Sequence, residues 1–592
     1  MDQPRAIVDF EGVEAGRRLA FGEPVAEFSA RDASGVEAAV RAAEAAALAG
    51  AWVVGFLAYE AAPALDPAFA VRDGCRLPLA WFGAFESPRR GHRARRRASF
   101  PPRSRASIPD GWSGSEGRRS HAAAVARIRE AIGRGDVYQV NHTFRLRRML
   151  AEDPAELYER LVRTVPAPYA AYVRVPPHHV VSISPELFFR RDGRRLTTRP
   201  MKGTAPRGRW PEEDDRNAAA LAASEKDRAE NLMIVDLLRN DLGRVASFGT
   251  VRAQDLFRVE RHATVHQMTS TVVAEARPDA SLLEVMRALF PCGSVTGAPK
   301  IAATQAIARL ESTPREAYCG AIGVIRPGGD CTFNVAIRTA LVDDSDSSVT
   351  YGVGGGITWA STATGEWEEA LGKAAILRPA RAAAGLIETF RAEGGTPVRW
   401  PDHRRRLLSS AEALGHPADE ARIDAAVARA CHETARARVI LRLELSVGGA
   451  VSVSVRPLPD TDRMRARRAW GPVDSGDPRL FHKTADRSVY DAFRTGLPDE
   501  EEALLWNERG EATEFTRGNL VAELHGRLVT PPVRAGLLPG VFRDELVRSA
   551  TAVEGDIPIA DLETASAVWF VSSAREWVPV LWNPVGEPGV AR

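Results

Sequence analysis

Residues 320–342 read GAIGVIRPGGDCTFNVAIRTALV. β-Branched and aromatic residues flank Pro327, Gly328 and Gly329, the pattern of two strands joined by a tight turn. Similar runs recur as VVSISPELFFRR at 180–191 and SVTYGVGGGI at 348–357, with helical patterns between them across 119–378. An α+β multidomain chain is expected, with large antiparallel sheets and helices outside them.

Upstream, residues 1–88 mix short apolar runs such as WVVGFLAYE with the alanine-rich amphipathic stretch EAAVRAAEAAALAG, which ends at Gly50 as helices often do. Residues 89–118 are dense in Arg, Ser, Pro and Gly without apolar period, and read as a solvated basic linker rather than an RNA-binding surface, since no aromatic platform is interleaved. After Arg378 the pattern restarts with a strand-turn-strand, LIETFRAEGGTPVRW, a helix at 402–415 and the strands RVILRLELSVGG and AVSVSVRPL. The expected domains are therefore 1–118, 119–380 and 381–592.

At 592 residues the chain is too long for one core. A formal charge of +2 gives no global pull toward nucleic acid or anionic membrane, so neither is an expected partner. The N-terminus MDQPRAIVDF lacks a basic segment followed by an apolar run, and no apolar span reaches membrane length; a cytoplasmic location is the default. The five cysteines are scattered, with no CxxC pair, and read as reduced thiols.

The stretch 199–206, RPMKGTAP, places the amine of Lys202 among acids: Glu186 in SPELF, Glu230 in AENLMIVDLLRND, and Glu366 and Glu369 in GEWEEALGKA. A primary amine in a pocket is a potential nucleophile. Glu366, Glu369 and Lys373 fall at i, i+3 and i+7, on one helix face. Carboxylates from two helices suit Mg²⁺ better than zinc. The alternative for Glu369 and Lys373 is a surface ion pair worth about 0.3–0.5 kcal/mol, and for Glu230 an ordinary helix-surface carboxylate. Arg338 can fork onto a carboxylate, and the amides of YGVGGGI can cup an anion or simply form a tight turn.

SPELF, PMKGT, AENLMIVDLLRND, GSVTGAPK, AIRTA and GGGI followed by EWEEALGKA, in this order, resemble the chorismate-utilising enzymes: anthranilate, aminodeoxychorismate, isochorismate and salicylate synthases. The resemblance covers roughly 119–378, and GFLAYE resembles the family's N-terminal region. It implies Mg²⁺ held by Glu230 and Glu369 with Glu366 nearby, and a substrate carboxylate on Arg338 and the amides of Gly354, Gly355 and Gly356. Glu186 would be the general acid; His266, Thr296, Tyr318 and Lys373 match pocket positions.

Lys202 then sorts the family members. Anthranilate synthases carry a motif like PIAGT with no amine there, whereas aminodeoxychorismate synthases carry KGT, whose lysine adds at C2 before ammonia enters at C4. This chain has the lysine. No cysteine sits in a GxCxG elbow, so a separate glutaminase subunit is the expected ammonia source.

Downstream, HRRRL at 403–407, HKTADRSVY at 482–490, EFTRGNL at 514–520, LLPGVFRDEL at 537–546 and VSSAREWVPV at 571–580 resemble the fold-type IV pyridoxal phosphate enzymes, which include class IV aminotransferases and aminodeoxychorismate lyase. The resemblance implies two α+β subdomains, Lys483 joined to the cofactor aldehyde, Glu514 on the pyridine nitrogen, and Arg406, Val541, Phe542 and Ser573 around the phosphate. Family members begin with a further strand ahead of a segment like LIETF; here it follows Arg381 almost directly.

Together the halves imply consecutive steps of the folate precursor branch: amination of chorismate at C4, then elimination of pyruvate to 4-aminobenzoate. The sequence leaves open an aminotransferase of other substrate, a C-terminal scaffold that steadies a homodimer or docks the glutaminase, and an anthranilate synthase component.

Overall fold

The computed structural model describes residues 4–14, 17–93, 99–100, 107–262, 265–378, 382–434, 437–459, 462–498 and 501–583. The chain forms two compact units, one of 1–96, 102–207 and 215–380, the other of 97–101, 208–214 and 381–592. Among the described residues, no helix is long and apolar enough to cross a membrane, and all five cysteines are free.

The first unit is built on two ten-stranded antiparallel sheets. The opening hairpin is there as expected: Ala321–Ile325 pairs with Cys331–Val335 in the register Ile325 to Cys331, and Gly328 and Gly329 both take positive φ in the turn. The strand that follows, Thr339–Asp343, belongs to the other sheet. The chain therefore crosses between sheets at 336–338, and Arg338 takes a left-handed φ of 50° at that corner. A second crossing lies beside it. His178–Ser184 is in one sheet, Leu187–Asp192 in the other, and Glu186 stands between them. Val335 donates its N–H to the Glu186 carbonyl at 3.1 Å, and Ile183 to that of Arg338 at 3.0 Å. Two strand crossings thus bring an acid and a base of distant sequence together.

The alanine-rich stretch is the helix Ala33–Leu48, capped by Asp32, and its buried Val36, Ala39, Val40 and Ala43 face the main core cluster. Small side chains let a helix pack close on a sheet.

The second unit has a four-stranded antiparallel sheet, from Leu386–Glu393 to Val451–Pro457, and an eight-stranded mixed sheet. Two segments that the sequence assigns upstream belong to it. Ser99 bridges Ala382, and Phe100, 2% exposed, packs with Leu386, Phe390, Leu407 and Leu414. Trp210 stacks on Phe481 at 5.5 Å and 20°, with the Arg209 guanidinium 4.9 Å from each ring. The basic linker is correspondingly not all solvated loop: Arg89–Gly91 and Ser113–Gly114 are edge strands of the first unit, and much of the Arg-rich run between them lies outside the described residues.

Candidate active sites

In the first unit Lys202 lies on Met201–Pro206, which pairs with Val265–Glu275. The register slips between Met201 opposite Thr269 and Thr204 opposite Gln267, so Lys202 and Gly203 form a bulge, the device by which a strand re-aims a side chain. Asn231, one residue after Glu230, donates to the Lys202 carbonyl at 3.4 Å and accepts from Ser270 at 2.6 Å, tying this strand to the helix Glu225–Gly243.

The glycine run serves close approach. A Cβ on Gly356 would stand 2.8 Å from Nζ of Lys202 and 2.8 Å from the amide nitrogen of Gln139; one on Gly355 would stand 3.1 Å from Glu366 and 3.4 Å from Glu369. Any side chain there would intrude between these groups. Glu366 accepts from Ser361 at 2.6 Å through Oε1, while its buried Oε2 has no partner among the described residues. Lys373 bonds Glu369 at 2.8 Å, so the surface-type pair does form, and also donates to the Gly354 carbonyl at 2.7 Å. Glu230 accepts from Thr358 at 3.3 Å and lies 3.9 Å from Lys226.

No hydrogen bond or ion pair joins the amine of Lys202 to another described residue. Burial first, then the charge of Lys373, pulls its pKa down, against Glu230, Glu369 and Glu186. Glu186 is 3% exposed, and its Oε1 has no hydrogen-bond partner among the described residues. Burial pushes it up to about 7 in spite of Ser294 and Lys202. An acid that can hold a proton near neutrality and an amine biased toward its free base thus share one pocket. Arg338, its guanidinium paired with no described carboxylate, is lowered by burial alone as the leading cause.

The remaining sequence-named positions divide. His266 is fully buried on Val265–Glu275 opposite Ala205; Thr296, also fully buried, bonds the Cys292 carbonyl at 2.9 Å. Tyr318 packs against Gly352 under Arg145, and lines a cavity of about 450 Å³ that Lys202, Glu186 and Gly354–Gly356 do not line. Among the described residues no group of three or more His, Cys, Asp or Glu is gathered closely enough to hold a metal ion. Gln139, which the sequence does not single out, is fully buried beside Lys202, and neither of its amide atoms has a hydrogen-bond partner among the described residues. Nothing in a lone glutamine on a strand signals this; only the pairing of its strand, Gln139–Met149, with Ser348–Ile357 does.

In the second unit one cavity of about 330 Å³ is lined by Arg406, Lys483, Glu514, Val541, Phe542 and Ser573, all six residues named from sequence. Lys483 forms no ion pair with a described residue, and burial, then Arg406 and Arg487, brings it down to about 8. Glu514 accepts from Tyr490 at 3.0 Å, from the Leu538 N–H at 3.0 Å and from Asn519 at 3.1 Å; burial outweighs these bonds and pushes it up to about 8. The helix Val541–Arg548 starts at the cavity, and a Cβ on its cap, Gly540, would sit 1.8 Å from Asn519. Its free amides make a ready anion cradle. Arg406 bonds Glu388 at 2.9 and 2.6 Å and the Pro539 carbonyl at 2.8 Å. Glu388, His403 and Tyr490 lie inside quoted motifs, yet their parts here show only in the fold.

A family model described as chorismate binding enzyme matches residues 6–379, and one described as amino-transferase class IV matches 385–581. The chain is 46% identical over 261 residues to an aminodeoxychorismate synthase of Streptomyces griseus, covering 44% of this chain and 36% of the relative. It is 40% identical over 269 residues to an anthranilate synthase component 1 of Aquifex aeolicus, covering 45% and 54%. The chain thus spans between about a third and about a half of the length of these relatives. The structure of anthranilate synthase component I from Streptococcus pneumoniae superposes with a TM-score of 0.50 at 23% identity, covering 63% of this chain and 90% of that one, which bears on the fold of the first unit.

Proposed function

The chain belongs to the chorismate binding enzyme family, and from that premise we propose that its first unit aminates chorismate at C4 and its second releases pyruvate from the product to give 4-aminobenzoate. The observation that carries the reading is Lys202: a half-buried lysine whose amine has no ion-pair partner among the described residues, aimed by a bulge at the same glycine strand that faces the acids of Ala363–Lys373. A lysine placed only for stability would be expected to pair.

In this reading Lys202 as free base adds at C2, Glu186 in its protonated form gives its proton to the departing 4-hydroxyl, and ammonia entering at C4 displaces the lysine at C2. The unpaired guanidinium of Arg338 and the amides of Gly354–Gly356 hold a substrate carboxylate. Glu366, whose buried Oε2 lacks a partner among the described residues, Glu369 and Glu230 offer the hard oxygens that Mg²⁺ takes, but they are not gathered closely enough in this structure to hold it and would have to close on the ion. The cation would neutralise a second substrate carboxylate.

The second cavity fits pyridoxal phosphate: an unpaired lysine, a carboxylate tied by three hydrogen bonds, and a helix N-terminus lie around one space. When bound, that cofactor supplies an electron sink. Glu514 would keep the ring nitrogen protonated, Lys483 would anchor the ring and carry protons to and from substrate, and Ser573 with the Val541 and Phe542 amides would hold the phosphate. A glutaminase subunit is the proposed ammonia source and the cytoplasm the proposed location; a homodimer through the second unit is compatible with the reading.

The test is to incubate the purified chain with chorismate, Mg²⁺, ammonium and pyridoxal phosphate and identify the products. 4-Aminobenzoate with pyruvate supports the reading; anthranilate would overturn the first half. Accumulation of aminodeoxychorismate with no pyruvate would overturn the second.

A further inference from the structure

A buried line of hydrogen bonds runs behind the second cavity. Oε2 of Glu388 lies 2.6 Å from Nδ1 of His403, and Nε2 of His403 lies 2.7 Å from Oγ of Ser573. Glu388 and His403 are each 1% exposed and Ser573 8%. Oε2 of Glu388 also accepts from the Arg406 guanidinium at 2.6 Å.

The direction of each bond follows from the charges. Burial works to raise Glu388, but Arg406 and His403 outweigh it and hold the carboxyl down to about 2, so its oxygens only accept. Nδ1 of His403 must therefore carry the hydrogen it shares with Glu388. Burial, the leading cause, keeps the imidazole below its usual value despite that carboxylate. A neutral ring protonated at Nδ1 has a bare Nε2, which can only accept. Ser573 must then donate its one hydrogen inward, and its Oγ shows the cavity nothing but lone pairs. That orientation opposes a phosphate, whose oxygens are also acceptors.

We infer that a phosphate monoester binds at Ser573 together with a proton taken up by His403. With Nε2–H donating to Oγ, the hydroxyl hydrogen turns toward the cavity and bonds the phosphate. The proton comes from solvent and no covalent bond changes. The alternative, turning the hydroxyl outward over a neutral ring, would leave the buried Nε2 without a partner. The groups facing His403 are Glu388 on Leu386–Glu393, Arg406 on its own helix, Lys483, and the Phe390 ring at 5.2 Å. Glu388 and Arg406 offset each other, so the charge that stabilises the imidazolium is that of the arriving anion. His403 is here a positioning residue, acting through Ser573 and not touching the ligand. The inference rests on the proposed reading that this cavity holds a phosphorylated cofactor.

The probe is pyridoxine 5′-phosphate, which has the phosphate but no aldehyde, so Lys483 forms no bond with it. Calorimetric titration of the full chain at pH 8, in two buffers of different ionisation heat, counts protons taken up. There the ligand, with a second phosphate pKa of about 6, is already dianionic. Wild type is expected to take up close to one proton more than His403→Gln, whose amide N–H can donate to Ser573 permanently. Its Kd should weaken by about tenfold per pH unit above neutrality, a dependence that His403→Gln loses while still binding. Lys483 is common to both, so its titration cancels in the difference. Ser573→Ala, with no hydroxyl to turn, should bind through the helix amides and take up no extra proton. Equal uptake in wild type and His403→Gln would overturn the coupling. Uptake retained in Ser573→Ala would do the same even if His403→Gln fails to fold. No binding by wild type would instead overturn the cofactor reading, and the inference with it.

Discussion

Nζ of Lys373 lies 2.8 Å from Oε1 of Glu369, and this contact leads the causes that hold Glu369 below its usual pKa. Glu366, one helical turn earlier, has burial as its leading influence and is raised. Two carboxylates on one helix face are thus in opposite states, the first short of a cation and the second supplied with one. Removing Glu366 should therefore hurt metal binding. Glu366→Gln is expected to raise the Mg²⁺ concentration for half-maximal amination by at least about tenfold, equivalent to about 1.4 kcal/mol, with the fold unchanged by circular dichroism. An unchanged Mg²⁺ titration would exclude Glu366 as a ligand.

Lys202→Ala should reduce 4-aminobenzoate formation by about 10² or more, and open C2 chemistry with ammonia. Lys202→Arg should not restore it, because a guanidinium stays protonated in proteins. Chromatographic separation of anthranilate from 4-aminobenzoate reads both effects; unaltered rates would remove Lys202 from the chemistry.

The pH dependence has a definite sign. Glu186, raised by burial to about 7, is a working acid only while protonated, so C4 amination should fall as pH rises through about 7. Lys202, lowered by burial, must be free base, so activity should also fall on the acid side. A kcat/KM profile with no descending limb above neutrality would argue against Glu186 as the acid.

Arg575 lines the second cavity, its guanidinium has no partner among the described residues, and burial followed by Arg517 lowers it. A dicarboxylate substrate gives such a cation a use. Arg575→Gln should raise KM for aminodeoxychorismate by about 10- to 100-fold, equivalent to about 1.4–2.7 kcal/mol, and leave cofactor absorbance unaltered. KM unchanged within error would count against that role.

Phe100 belongs to the core of the second unit although its sequence neighbours read as linker. Phe100→Ala should destabilise that unit by about 3–5 kcal/mol, the usual range for a buried phenylalanine. Thermal unfolding followed by cofactor absorbance would register it. No change in midpoint would mean that the contact contributes nothing in solution.

Much of this was legible from pattern alone. The hairpin around Gly328 and Gly329 and the helix carrying Glu366, Glu369 and Lys373 follow from periods of 2 and 3.6 residues, which act over a few neighbours. The residues that line the second cavity stand in local motifs and could be picked out from sequence. The surroundings of Tyr318 were not legible, since a ring's direction depends on what packs behind it, here Gly352 and Arg145.

The sequence by itself determined the kinds of chemistry available: an amine at 202, acids at 186, 230, 366 and 369, and a second lysine with its carboxylate at 483 and 514. Tertiary structure alone decided what those groups can do. The bulge at Lys202, the burial of Gln139 beside it, and the line from Glu388 through His403 to Ser573 join residues up to 170 positions apart. Protonation and hydrogen-bond direction depend on burial and on neighbours a few ångströms away, and only the folded chain brings those neighbours together.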